Sequence, residues 1–367
     1  MRNVEHDAVT LNALCPYFTM FPLSFPISVL ANRVRRGDEI LDPFCGRGTT
    51  NFAARLLGLG SVGVDASPVA AAITASKLVA VSPKSVIAEA RRILEADRRA
   101  RTPEGEFWRL AFHKTVLADL CRLRASLLRN CSTAPRIALR GLLLGALHGP
   151  RQILRPSYFS NQSPRTYAPK PAYAVRYWKR QRLRPPLVDV LDVVSRRAER
   201  FFSGDLAALG HARLADSRDA ASLRPRLPNK PFRWVVTSPP YYGMRTYVPD
   251  QWIRLWFLGG PPAVDYGYGI QLDHGGAEPF AEGLHTVWRN ASRVCSDDAR
   301  LVVRFGGIAD RAASPLEIIR SSLSGSGWRI QTIRSAGAAD AGKRQAETFL
   351  KRSSTPRAEY DIWAARA

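Results

Sequence analysis

The chain has 367 residues, of which 46% are apolar, and its 54 Lys or Arg and 31 Asp or Glu residues give a formal net charge of +23. This apolar content supports a buried core and excludes global disorder. A surface this positive attracts polyanions, of which nucleic acid is the commonest. The five cysteines form no C-x-x-C pair, which excludes a zinc knuckle and a disulfide framework and predicts a protein of the reducing cytoplasm.

An uncharged apolar segment lies near the N-terminus, from Val9 to Asn32. In composition it resembles a signal peptide or a membrane span. Pro16, Pro22 and Pro26 interrupt it, however, and acidic residues precede it, so neither assignment fits well. We predict a buried loop followed by a helix, and no association with a membrane.

Strands and helices alternate in the next segment. Residues 39–44 and 61–64 have the composition of buried strands, and residues 49–59 and 68–81 have the composition of helices. This order is typical of a βαβ unit with a parallel sheet.

The first turn of this unit reads DPFCGRGTT, from Asp42 to Thr50. Glycines at 46 and 48 allow a ligand to approach the backbone closely, and the following helix N-terminus favours an anion. Asp65 ends the next strand, where an acid can accept hydrogen bonds from both ribose hydroxyls. Asn51 stands where the dinucleotide fingerprint G-x-G-x-x-G requires its third glycine, so the turn predicts a nucleotide-type cofactor other than NAD.

The charge of the chain is concentrated between residues 80 and 205, which hold 25 basic and 10 acidic residues. Helical spacing runs through 85–147. Residues 151–186 hold nine basic residues, no acidic residue, six aromatic residues and six prolines, and we predict an extended or irregular segment that contacts nucleic acid. A solvated loop is the alternative. The DNA-contacting candidates are Arg165, Lys170, Arg176, Lys179, Arg180 and Arg182.

The α/β alternation resumes after residue 205. We predict strands at 212–215, 232–237, 299–305, 328–335 and 359–364, the last two as a pair, and helices at 280–295 and 316–323. Asp216 follows the first of these strands, and the sequence SPPYY follows the second.

The SPPYY turn has the residue types needed to methylate a base amine. The lone pair of such an amine is delocalised into the ring, so a catalyst should accept hydrogen bonds from both N–H groups. The Ser238 hydroxyl and the Pro239 carbonyl can do this, and Pro239 and Pro240 fix the backbone. Tyr241 can stack on a flipped base, and because stacking needs only an aromatic face, Phe or Trp should substitute for it.

These segments together resemble the DNA amino-methyltransferases. DPFCGRGTT matches their D-P-F-x-G-x-G-T-T motif, TSPPYY their [D/N/S]-P-P-[Y/F] motif, and the segment from Thr19 to Pro26 their F-P-x-x-[L/F]-P segment. The resemblance implies S-adenosylmethionine as the cofactor and Ser238, Pro239, Pro240 and Tyr241 as catalytic residues. The residues that it implies for cofactor binding are Thr19, Phe21, Asp42, Pro43, Phe44, Gly46, Gly48, Thr49, Thr50, Asp65 and Asp216.

The same resemblance implies methyl transfer to a flipped base of double-stranded DNA. Ser238 before the prolines favours N4 of cytosine, and N6 of adenine is the alternative. An RNA base amino-methyltransferase and a DNA-binding protein on an inactive methyltransferase scaffold also stay open. Methylation at C5 of cytosine needs a nucleophilic thiolate in a Pro-Cys turn, and no cysteine here follows a proline.

The expected fold is a Rossmann-like class I methyltransferase domain, α/β with a mostly parallel sheet. Residues 1–80 and 206–367 are its two parts, and the basic, partly helical insertion 81–205 is the predicted target-recognition region. Relatives more often place that region elsewhere in the chain. No metal is expected, a cognate restriction endonuclease is a candidate partner, and the choice between monomer and dimer stays open.

Overall fold

A computed structural model describes residues 10–17, 21–96, 100–149, 155–162, 170–243, 248–267, 271–307, 313–338 and 358–367. The described residues fall into two compact units. One, the sheet unit, is drawn from 17–74, 207–246 and 268–367, and the other, the helical unit, from 1–16, 75–206 and 247–267.

The sheet unit contains one seven-stranded sheet. Its strands are β1 (Glu39–Asp42), β2 (Gly60–Asp65), β3 (His211–Leu214), β4 (Phe232–Thr237), β5 (Cys295–Gly306), β6 (Trp328–Ala338) and β7 (Ala358–Arg366). Their order across the sheet is β3-β2-β1-β4-β5-β7-β6. β1 to β5 pair in parallel, and β7 pairs antiparallel with both β5 and β6.

Helices of the sheet unit accompany these strands. They are α1 (Ser24–Leu30), α2 (Thr49–Leu56), α3 (Pro68–Ser76), α11 (Ala277–Arg293) and α12 (Pro315–Leu323), with a short 3-10 helix at Ala220–Leu223. α2 ends before the predicted residue 59 because Gly58 has a φ of +71°, which helical residues do not adopt. α3 likewise ends five residues before the predicted end at 81.

Apolar residues cover both faces of the sheet. Leu41 and Val235 pack in one core cluster with residues of α11 and α12, whereas Ile40 and Trp234 pack in a second cluster with residues of α1 and α2. Successive strand residues point to opposite faces, and a parallel sheet is buried on both. The predicted α/β, Rossmann-like fold with a mostly parallel sheet is confirmed.

The described residues of the helical unit contain α-helices and a short 3-10 helix at Val248–Gln251, joined by irregular segments. The α-helices include α4 (Pro83–Glu95), α5 (Glu106–Ala111), α6 (Lys114–Arg129), α7 (Ala134–Ala146), α8 (Pro171–Arg180), α9 (Val190–Phe202) and α10 (Trp252–Phe257). α4 packs against α6, α7 and α9. The helical spacing predicted for 85–147 is therefore present in the structure.

The extended or irregular conformation predicted for 151–186 is wrong for α8. Pro171 occupies the first turn of this helix, where a missing N–H is tolerated, and residues 172–180 contain no proline. Ala174 and Trp178, four residues apart, are its buried residues. Of the six prolines of the segment, Pro171 begins the helix and the other five lie outside it in sequence.

The helical unit extends beyond the predicted insertion. Arg254 of α10, only 1% exposed, donates hydrogen bonds to the carbonyls of Leu144 and Pro16 at 3.1 and 2.9 Å. Segments near the N-terminus and after the SPPYY turn thus join residues 75–206 in one unit. No helix within the described ranges combines the length and the apolar character needed to cross a lipid bilayer.

Candidate functional site

The glycine turn lies between β1 and α2, as predicted from the sequence. Gly46 and Gly48 adopt left-handed conformations with φ of +51° and +76°. A Cβ on Gly48 would lie 2.7 Å from the Thr74 hydroxyl, so this glycine allows the turn to pack against α3. A Cβ on Gly46 would meet nothing within 4 Å. The backbone of Gly46 is therefore open on this side, so a ligand can approach it closely.

Asp65, at the end of β2, is bonded to this turn. Its Oδ2 accepts a hydrogen bond from the Gly46 N–H at 2.9 Å, and its Oδ1 accepts one from the Ser67 N–H at 2.9 Å. Burial raises the pKa of Asp65, and the two backbone hydrogen bonds oppose that rise. Each carboxylate oxygen can accept a further hydrogen bond, so the arrangement suits a ribose with two hydroxyls.

Asp42 is the last residue of β1 and is fully buried. Its Oδ1 accepts hydrogen bonds from the Thr237 hydroxyl at 2.6 Å and from the Phe44 N–H at 3.2 Å. Its Oδ2 is buried and makes no hydrogen bond of good geometry within the described residues, although the Thr50 hydroxyl lies near enough to help lower the pKa of this carboxyl. Burial raises the pKa of Asp42 to about 7, against the hydrogen bond from Thr237, which lowers it. The buried oxygen is available to a donor on a bound ligand.

Thr237, which bonds to Asp42, immediately precedes the SPPYY turn. β1 and β4 are neighbouring parallel strands in which Leu41 pairs with Val235. Their carboxyl ends meet at the same edge of the sheet, where ligands bind in open α/β folds. The glycine turn and the SPPYY turn, about 190 residues apart in the chain, are therefore side by side.

Within the SPPYY turn, Ser238 and Pro240 are half-buried and Pro239 is buried. Tyr241 donates a hydrogen bond of 2.7 Å from its hydroxyl to Glu359 Oε1. Tyr242 lies 5.5 Å from Phe280 between ring centroids. The turn is thus held on its aromatic side by residues of α11 and β7.

Two residues that support this turn escaped the sequence analysis. Glu359 binds Tyr241, and His274 accepts a hydrogen bond from the Gly243 N–H at its Nδ1, at 3.1 Å. His274 also stacks on the Tyr242 ring, with centroids 6.5 Å apart. Neither residue has a motif spacing to the turn, since they lie about 30 and 120 residues away in sequence, so only the fold reveals them.

Asp216 follows β3 and is half-buried. Its carboxylate accepts hydrogen bonds from the Arg218 side chain at 2.7 to 3.1 Å. Burial opposes the effect of Arg218, but the pKa of Asp216 is lowered overall. The adjacent Ser217 donates a 2.6 Å hydrogen bond to the Pro43 carbonyl, which places Asp216 beside the DPF segment. The adenine amine of a cofactor bound by Asp216 would share this carboxylate with Arg218.

The other cofactor-binding candidates lie around the glycine turn. Phe44 is half-buried and contacts Trp288 edge to face, with ring centroids 6.0 Å apart. Thr49 and Thr50 are buried in the first turn of α2. Phe21 contacts Phe25 edge to face at 5.4 Å, and Thr19 lies outside the described residues.

The DNA-contacting candidates lie in the helical unit, on and around α8. Arg176, Arg180 and Arg182 are exposed. Lys179 forms an ion pair with Glu106 at 2.6 Å, and Lys170 is the N-cap residue of α8. Arg165 lies outside the described residues. Four of these candidates, Arg176, Lys179, Arg180 and Arg182, are called the α8 basic cluster below.

Comparison with known proteins relates the N-terminal part of the chain to a family. Residues 3–76 match the DNA methylase family N6_N4_Mtase. The type II methyltransferase M.BsoBI of Geobacillus stearothermophilus is 44% identical over 54 residues, which are 15% of this chain and 9% of that protein. The type II methyltransferase M.Cfr9I of Citrobacter freundii is 34% identical over 88 residues, which are 24% of this chain and 23% of that protein.

Among solved structures, the rRNA methyltransferase aviRa of Streptomyces viridochromogenes aligns over 96% of this chain and 87% of its own. The TM-score is 0.35 and the identity is 15%.

The family match spans the region of the glycine turn. The matched segments are less than a quarter of the length of either type II relative. The DNA methylase match nonetheless includes the F-P segment, the DPFCGRGTT turn and Asp65, and it implies S-adenosylmethionine as the cofactor. Over residues 3–76, the resemblance to the DNA amino-methyltransferase family that the sequence predicted is confirmed.

Proposed function

We propose that this protein is a DNA methyltransferase that transfers a methyl group from S-adenosylmethionine to the exocyclic amine of a flipped base, N4 of cytosine. The observation that carries the proposal is the 2.6 Å hydrogen bond from the Thr237 hydroxyl to Asp42. It joins the cofactor motif and the catalytic motif at one edge of the sheet. A methyl donor at the first turn and an amine at the second would therefore be neighbours.

The glycine turn fits the proposed cofactor. Gly46 leaves open space, Asp65 offers acceptors for ribose hydroxyls, and the buried Oδ2 of Asp42 is open to a donor. When bound, S-adenosylmethionine supplies a methyl group activated by a positively charged sulfonium. The positive charge of the sulfonium would favour the ionised forms of the buried Asp42 and Asp65 and so oppose the rise in pKa that burial causes.

Ser238 and Pro239 would orient the amine. We assign the two N–H groups of the amine to the Ser238 hydroxyl and the Pro239 carbonyl, which then draw the nitrogen lone pair out of conjugation with the ring. Such acceptors act when they are preorganised at the site of charge development. The two prolines restrict the backbone of this turn and remove two N–H donors that would otherwise compete.

A covalent route at C5 of cytosine is disfavoured by the state of Cys45. This cysteine lies in the glycine turn, is buried, and accepts a 3.5 Å contact from the Thr74 hydroxyl. Burial raises the pKa of its thiol well above the usual value, and a neutral thiol is a poor nucleophile. Direct transfer to an amine needs no thiolate.

The helical unit would provide contacts to duplex DNA. The α8 basic cluster places exposed guanidinium groups on one short helix and its C-terminal turn. Lys and Arg contacts to phosphates supply most sequence-independent affinity for DNA. We therefore propose that residues 81–205, the predicted insertion, bind the target duplex.

Incubation with S-adenosylmethionine labelled in its methyl group and with genomic duplex DNA tests the activity. The DNA is digested to nucleosides, and the labelled nucleoside is identified by chromatography and mass. N4-methylcytosine is the expected product. N6-methyladenine alone would overturn the choice of base and leave amino methylation intact, whereas 5-methylcytosine would overturn both. Label in RNA and none in DNA would favour an RNA base methyltransferase.

A further inference from the structure

The hydroxyl of Tyr241 is held by a carboxylate from the C-terminal strand. Tyr241 donates its hydrogen bond of 2.7 Å to Oε1 of Glu359, which lies 118 residues away at the beginning of β7. Hydrogen bonds to ionised acceptors are stronger than those between neutral groups. This bond fixes the outer end of the tyrosine ring.

A second contact fixes the body of the same ring. Tyr241 packs edge to face on Phe305 of β5, with ring centroids 5.5 Å apart and an interplanar angle of 74°. Phe305 is itself buried and stacks on Phe280, with centroids 6.5 Å apart. The ring is therefore restrained at its tip by a hydrogen bond and at its edge by a rigid aromatic neighbour.

Gly306 creates the room for both partners. It pairs with Glu359 across the β5–β7 ladder. A Cβ on Gly306 would lie 2.9 Å from Glu359 Cγ and 3.1 Å from Tyr241 Cε2, closer than ordinary van der Waals contact. Its φ is not positive, so space rather than backbone conformation accounts for the glycine. Gly306, Glu359 and Tyr241 thus form one packed group.

We infer that Glu359 is a positioning residue that holds Tyr241 in the orientation needed to stack on the extruded base. The inference rests on the proposed function, because it takes Tyr241 as the residue that faces the base. Glu359 acts through the tyrosine and does not touch the substrate. The hydroxyl of Tyr241 thereby gains a role that stacking alone would not require, and this replaces the expectation from the sequence that Phe should substitute for Tyr241.

The proposed role predicts a specific kinetic effect. A ring that is already oriented loses little freedom when the base arrives, whereas a freed ring must be ordered on binding. Loss of the Glu359 bond should therefore lower kcat/KM for DNA and leave the affinity for S-adenosylmethionine unchanged. A carboxylate that merely stabilised the strand would lower the melting temperature without this selectivity.

The test compares kcat/KM for genomic duplex DNA among Glu359→Ala, Glu359→Gln, Tyr241→Phe and the double variant Tyr241→Phe/Glu359→Ala. Glu359→Ala and Tyr241→Phe should each lower kcat/KM about fivefold to tenfold. Glu359→Gln should recover most of the activity, because its amide oxygen still accepts the hydrogen bond. The double variant should lose no more than either single variant, since both remove the same interaction.

Two control variants match these changes. Glu282→Ala removes an exposed carboxylate from α11, and Tyr360→Phe removes a hydroxyl of β7 that makes no hydrogen bond within the described residues. Both should keep the parent kcat/KM. Calorimetric titration with S-adenosylmethionine and the melting temperature are recorded for every variant.

The outcomes separate this inference from the proposed function. If the parent protein methylates no DNA base, the proposed function fails. If the parent methylates DNA and Tyr241→Phe keeps its kcat/KM, or if the losses of the two single variants add in the double variant, the positioning role is overturned while the function stands. Equal losses in Glu359→Gln and Glu359→Ala would also overturn it. Tyr241→Phe decides the matter even if Glu359→Ala does not fold.

Discussion

The carboxyl edge of the sheet and the α8 basic cluster differ in how far their charged side chains are buried and in how they are bonded. At the edge, Asp42 is buried and Asp65 is bonded to the backbone of the glycine turn. On α8, Arg176 and Arg180 are exposed, and the helix is anchored by its apolar residues, Ala174 and Trp178. A buried polar group that loses its partner is costly, whereas an exposed charge contributes little by itself.

This contrast indicates how each region should respond to substitution. Single changes at the edge should each have a large effect, because the buried carboxyl groups there are held by a few specific hydrogen bonds. Single substitutions on α8 should each have a small effect on DNA affinity. These effects should add, and they should depend on salt concentration. The predictions that follow test this contrast, beginning with the largest expected effect.

The pH dependence of stability should reveal the buried carboxyl of Asp42. Because its pKa is about 7 in the folded protein and 3.8 when exposed, the folded state binds more protons between these values. The free energy of unfolding without cofactor should therefore fall as pH rises from about 4 to about 7, by up to about 4 kcal/mol from this group. Denaturant titrations of the parent and Asp42→Asn across this range isolate the contribution by difference.

In Asp42→Asn, the amide oxygen can still accept the hydrogen bond of Thr237, but nothing titrates at this position. The difference in unfolding free energy between parent and variant should thus change with pH over this window and be flat above it. A difference that is constant from pH 4 to 8 would mean that Asp42 is not buried as an acid.

Removal of the Ser238 hydroxyl should affect turnover. Ser238→Ala keeps both prolines and Tyr241 but removes one acceptor for the target amine. Turnover should fall about a hundredfold or more, since one preorganised transition-state hydrogen bond is worth about 2.7–4 kcal/mol. Single-turnover methylation of DNA measures the loss, and calorimetry should show that cofactor affinity is retained. Unchanged turnover would remove Ser238 from the catalytic group.

Asp65→Ala should weaken cofactor binding by about 1–3 kcal/mol, the usual loss when buried hydrogen bonds are left unmade. The structure adds a second reason, because Asp65 also accepts the Gly46 N–H and so shapes the glycine turn. Calorimetric titration with S-adenosylmethionine measures the change, while DNA affinity should stay nearly constant. Asp297→Ala, which removes an exposed carboxylate of β5, is the matched control. Equal cofactor affinity in both variants would exclude Asp65 from the cofactor site.

Local sequence patterns predicted the elements on which these sites are built, because glycines, prolines and apolar runs act over a few residues. The glycine turn, β4 and the carboxylate at the end of β2 all lie where the sequence placed them. The 2.6 Å bond between Thr237 and Asp42 and the contact of Glu359 with Tyr241 were missed, since they depend on strand order. β7 enters between β5 and β6, an arrangement that no local pattern indicates.

The conformation of α8 was mispredicted for a different reason. A count of prolines over 36 residues suggested irregular structure, but their positions matter more than their number. Pro171 begins the helix, and the next proline, Pro185, comes after it ends. The four-residue spacing of Ala174 and Trp178 was the signal for a helix with one buried face. The helix fixes the spacing and direction of its basic residues, which an extended loop would not do.

Removing the charges of the α8 basic cluster should change the salt dependence of DNA affinity more than it changes the affinity at any one salt concentration. Each phosphate contact contributes about −0.9 to the slope of log affinity against log salt. Neutralising all four residues with Gln should reduce the slope by about 3, because the ion pair of Lys179 with Glu106 weakens one of the four contacts. Fluorescence anisotropy of labelled duplex DNA over a range of salt concentrations measures the slope.

Neutralising four exposed arginines of the sheet unit, Arg289, Arg293, Arg320 and Arg329, removes the same number of charges and serves as the control. An unchanged slope in the α8 variant would show that these side chains do not touch phosphate, and equal slopes in both variants would show that net charge alone, and not the α8 surface, attracts DNA.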